Sequence, residues 1–146
     1  MDKDPALAQT EEFLDYVSRG AAKVTPAALH ELYGKLPELR GRFAEVQAEG
    51  FPKTPEQLEF LADVVTAFVS DGCREIPYAA ISEAAFALLY LDREIDLIPD
   101  FLPRVGLADD AAVAATVLHR HASDFGRFAA EQGKNWAEFG PNQVTG

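Results

Sequence analysis

Asp96, Asp100, Asp109 and Asp110 crowd into YLDREIDLIPDFLPRVGLADD, residues 90–110, a stretch that also holds Pro99, Pro103 and Gly106. If the turn gathers the four carboxylates, they offer hard oxygen ligands to magnesium, calcium or manganese. Without a cation, carboxylates held that close must take up a proton, which is also how a general acid arises. The spacing is not that of an EF-hand loop, because the alternating oxygen ligands and the closing glutamate are absent. The same residues also have structural roles open to them. Pro99 fits the start of a short helical turn, where its missing amide costs nothing, and Asp100 then lies near the positive end of that turn. Gly106 allows the chain to reverse before Asp109 and Asp110 reach the next helix N-terminus. A third use is recognition: Ile98, Phe101, Leu102 and Arg104, set among carboxylates, form a face suited to a protein partner.

Other chemistry is sparse. The chain has no GxSxG elbow, no phosphate-binding loop, no HExxH and no GxGxxG. Cys73 is the only cysteine, which excludes an intrachain disulfide, a cysteine zinc site and a CxxC redox pair, and fits a reducing, cytoplasmic setting. The best enzymatic case is a metal-dependent hydrolase using the aspartates, and the balance leans against an enzyme. Glu83 is the one charged residue in an otherwise apolar segment, and is expected on a narrow solvent-facing strip, with a buried functional carboxylate as the alternative. His121 falls on an apolar stripe and is expected to be a packed, hydrogen-bonded core residue, whereas His119 points to solvent.

With 13 basic against 24 acidic residues the formal charge is −11, which opposes nucleic acid and anionic lipid and favours cationic proteins or divalent ions. The N-terminus has no signal-peptide pattern and no apolar run approaches the ~20 residues of a membrane span.

The elements that must position these residues are helical throughout, since alternating strand patterns are missing. A first helix is expected over 5–18, stopped by Gly20. Thr25 and Pro26 cap a second, which Pro37 restarts or kinks and which carries Leu39, Phe43 and Val46 toward Gly50. Thr54 and Pro55 repeat the device, with Gln57 completing a capping box, and open a helix with Leu58, Leu61, Ala62, Val65, Phe68 and Val69 inward. Residues 78–91, apolar on nearly every side and rich in alanine, read as the central buried helix. A last long helix is expected over 109–131, after which Trp136 and Phe139 fold back onto the body.

The string ALLYLDREIDLIPDFLPRVGLADDAAVAA resembles the signature of the YkvA-like proteins, the domain-of-unknown-function 1232 family. Its core is Asp96-Leu97-Ile98-Pro99-Asp100-Phe101, with Pro103, Gly106 and the Asp109-Asp110 pair. The resemblance implies a small helical domain, mainly bacterial, whose members often adjoin membrane segments and carry no agreed activity. One position departs: Glu94 stands where the family usually has proline, and it can pair with Arg93 or Arg104 at the surface.

The expectation is thus a single all-α domain over 1–146, a compact bundle of five or six helices around the alanine-rich one. Within it 78–131 is the family-like core and 1–72 an unassigned helical half. Its expected function is a non-catalytic interaction or adaptor module, with a protein partner that includes a membrane protein among the options; the alternative is a divalent-cation sensor or hydrolase.

Overall fold

The computed structural model describes residues 11–46, 53–72, 75–92 and 107–139. Seven helices run through them: α1 (Glu11–Ala21), α2 (Pro26–Phe43), α3 (Thr54–Asp71), α4 (Tyr78–Asp92), α5 (Leu107–Arg120), α6 (Ala122–Glu131) and the single turn α7 (Trp136–Phe139). The described residues are all-α, as the periodicity requires, and no strand occurs among them.

α4 sits at the centre because it is apolar all round. Every residue over 80–91 is buried, and the helix packs against α1, α2, α3 and α5. Each fully buried leucine, isoleucine or phenylalanine there contributes about 1.5–3 kcal/mol of transfer free energy, so α4 supplies much of the drive to collapse. Its alanines permit close approach, and on the α1 side the contact is tight. A Cβ placed on Gly20 would lie 2.1 Å from the Phe86 ring, so the α1 backbone rests directly on that side chain. Gly20 therefore lies inside α1 and does not end it; tertiary contact outweighs its poor helix propensity.

α2 begins as the sequence indicates. The Thr25 hydroxyl accepts the Ala28 amide at 3.1 Å, and Pro26 follows in the first turn. Pro37 is accommodated within one helix, which ends at Phe43, well short of Gly50. At α3 the cap shifts by one residue. Thr54 is already helical and Lys53 occupies the cap position, so Thr54-Pro55 does not repeat the Thr25-Pro26 geometry. α3 is also buried on more of its circumference than one stripe, with Phe60 and Val64 enclosed beside Leu58, Leu61 and Val65.

The expected helix over 109–131 is two helices. His121, with φ −119° and ψ 32°, separates α5 from α6. α6 then closes in a Schellman turn, where Gly133 takes the left-handed conformation (φ 74°) and the Lys134 and Gly133 amides bond the Ala129 and Ala130 carbonyls at 2.9 and 3.1 Å. The turn returns Trp136 to the body, where its ring meets Phe60 edge-on at 5.7 Å. The fold-back expected for Trp136 is present, while the Phe139 side chain lies outside the described residues. No helix among the described residues is long and apolar enough to cross a membrane.

Candidate functional site

Among the aspartates singled out by the sequence, Asp109 and Asp110 fall in the first turn of α5 by their backbone, close to its positive dipole end, and their side chains lie outside the described residues. Asp96, Ile98, Asp100, Phe101, Leu102 and Arg104 also lie outside them, as does Cys73. Among the described residues no group of three or more His, Cys, Asp or Glu side chains could hold a metal ion. What the structure defines is the pair of helices that flank residues 93–106.

That pair is α4 and α5, which pack together and are joined by residues 93–106. At the other end of the pair, Glu83 of α4 meets Arg120 of α5. The guanidinium grips both carboxylate oxygens, Nε donating to Oε1 and Nη2 to Oε2, each at 3.1 Å. An early residue of one helix facing the last residue of the next makes the pair antiparallel and fixes its register. Arg120 Nη2 also donates to the Ser18 hydroxyl at 3.1 Å, which ties in α1. His121 Nε2 lies 3.1 Å from Glu83 Oε1 but is not aligned for a hydrogen bond, and its ring packs edge-on against Phe125 at 5.8 Å.

Glu83 does not lie on a solvent-facing strip: its side chain is only 6% exposed. The strip reading fails because α4 is surrounded over 80–91, so the carboxylate at position 83 is almost wholly shut off from water. A two-pronged arginine contact is the arrangement that tolerates such a charge. His121 is packed as expected, its side chain 16% exposed, but the hydrogen bond expected of it is not formed at Nε2, while His119 is exposed, as expected. The sequence reading did not single out Arg120. The available signal was electrostatic: a carboxylate in an apolar helix demands a cation, and Arg120 sits beside His121 on the neighbouring element.

Burial pushes the Glu83 carboxyl up, but the neighbouring His121 and the Arg120 guanidinium outweigh it and hold the group below the usual glutamate range. A depressed carboxylate stabilises the fold above its unfolded pKa, and that contribution is lost as pH falls through the lower folded value. The stability gap between the parent chain and Glu83→Gln should therefore stay constant from neutrality down to about pH 4.3 and shrink below it. Urea denaturation at a series of pH values measures that gap, and a gap that instead widened in acid would contradict the assignment.

Chemically, both Glu83 oxygens are engaged and the charge is stabilised, so the group is a poor general acid and serves as a tie between three helices. The family model "Protein of unknown function (DUF1232)" matches residues 80–116, which takes in most of α4, the connector and most of α5. Over that segment the resemblance seen in the sequence is supported by the family model. Glu83 lies within the matched stretch, and Arg120 and His121 follow just beyond it. No curated protein and no solved structure matches the chain.

Proposed function

We propose that the chain is a non-catalytic interaction module whose contact surface is the acidic turn over 96–110. The observation that carries this reading is the support: both ends of the connector emerge from an antiparallel helix pair that is buried along α4 and pinned in register by Glu83 and Arg120. A loop mounted on a rigid pair binds with less ordering cost than a free segment of the same composition. The net charge of −11 selects a partner that presents basic residues, and Ile98, Phe101 and Leu102 supply the apolar anchors that charge alone lacks. Arg104 lies in sequence between Asp100 and Asp109, and its guanidinium would fix the orientation of an acidic group on the partner.

Capture of the partner by the tagged parent chain, compared with Asp100→Lys and Phe101→Ala, tests this. Charge reversal should abolish retention in low salt, and loss of the ring should weaken it by about five- to thirtyfold, the equivalent of the roughly 1–2 kcal/mol typical of a contact residue near a hot spot. Equal capture by all three chains would remove the turn from the interaction.

A further inference from the structure

We propose that residues 133–139 form an ion-latched strap that opens as a unit while α1–α6 stay folded, baring the aromatic face of Phe60 and Phe128. This goes beyond the turn-based reading and depends on none of its residues. Trp136 is the plug of that face. Phe60 meets Phe125, Phe128 and Trp136 edge-on at 5.7, 5.8 and 5.7 Å, and with Trp136 in place Phe60 and Phe128 are only 2% and 4% exposed.

The strap itself is lightly built. α7 is one turn, capped by Asn135, whose side-chain oxygen accepts the Ala137 amide at 3.2 Å. Beside the contacts of Trp136, two long lysine side chains reach it among the described residues. Lys134 Nζ pairs with Asp63 Oδ2 at 3.2 Å, and Lys53 Nζ donates to the Ala137 carbonyl at 3.3 Å. Both links are solvent-exposed and so open to screening by salt. Asp63 is a shared node, because its other oxygen takes Arg40 Nη2 at 3.1 Å, and Arg40 also pairs with Glu59. Releasing Lys134 thus leaves Asp63 partnered, which lowers the cost of opening. The left-handed Gly133 is the pivot, since it takes that conformation without strain.

Trp136 is the only tryptophan, so its fluorescence reports the strap alone. In native-state hydrogen exchange, the Lys134 and Glu138 amides should exchange faster than those of α4. Lys134→Ala should speed them a further two- to fivefold, about the effect of one exposed ion pair. Raising salt to about 0.5 M should accelerate exchange in the parent chain, and should do so less in Lys134→Ala, where only the Lys53 link is left to screen. Acrylamide quenching of Trp136 should rise in parallel. The proposal is overturned if these amides exchange only with global unfolding, if Lys134→Ala leaves them unchanged, or if they exchange while Trp136 stays shielded, which would mark a fraying end and not a strap.

Discussion

Arg120→Ala is expected to destabilise the fold by about 3 kcal/mol, the low end of the cost of stranding a buried charge, chosen because the arginine is itself about a third exposed. The expected fall in melting temperature is roughly 6–12 °C for a chain of this length. The loss arises from the carboxylate left behind. Glu83, 6% exposed, would keep only a misaligned histidine as a partner. Replacing both residues, as in Glu83→Leu with Arg120→Leu, should recover most of the loss, because the apolar pair removes the charge together with the need to compensate it. Urea midpoints for the two single variants and the double variant form the cycle that isolates the interaction. An Arg120→Ala chain within about 0.5 kcal/mol of the parent would mean that the tie is a surface ornament and that the hairpin register rests on apolar packing alone.

Gly20→Ala should be nearly as severe, for a steric reason. The added Cβ would stand 2.1, 2.5 and 2.7 Å from three carbons of the Phe86 ring. Phe86 is fully buried, so the ring cannot swing into solvent, and α1 must move away from α4. Alanine gains about 1 kcal/mol in helix propensity over glycine, yet overpacking of this kind costs more, and the expected net loss is about 2–3 kcal/mol. Two positions in α2 provide the opposite sign. A Cβ on Gly34 or Gly41 meets nothing within 4 Å, so Gly34→Ala and Gly41→Ala should each stabilise by about 0.5–1 kcal/mol. Pairing Gly20→Ala with Phe86→Leu should recover part of the loss. If Gly20→Ala were stabilising like the α2 variants, the close approach of α1 to α4 would be wrong.

These two cases show where sequence reasoning succeeds and stops. α4 was legible because it is apolar at every azimuth, a pattern that only a surrounded helix sustains. The Thr25 cap was legible because its chemistry is local. Gly20 misled because a glycine near a helix end has two meanings, a stop or a contact point, and only the neighbour's identity separates them. The break at His121 had no local signal either, since neither proline nor glycine stands there. Adjacent residues in a continuous helix diverge by about 100°, and the break is what lets Arg120 and His121 both approach one carboxylate. Glu83 itself was visible as an oddity. Its role was not, because its partner lies on another helix across the 93–106 connector. The aspartates resist sequence reading for a related reason: periodicity does not encode the path of the chain between α4 and α5.

The most direct test of the turn as a protein contact is site-specific photocrosslinking from position 101 in cells that make the chain, with position 33 on α2 as an exposed aromatic control. The account predicts a discrete adduct from position 101, lost in the Asp100→Lys background, and none from position 33. No adduct from position 101, or an equal adduct from both positions, would contradict it.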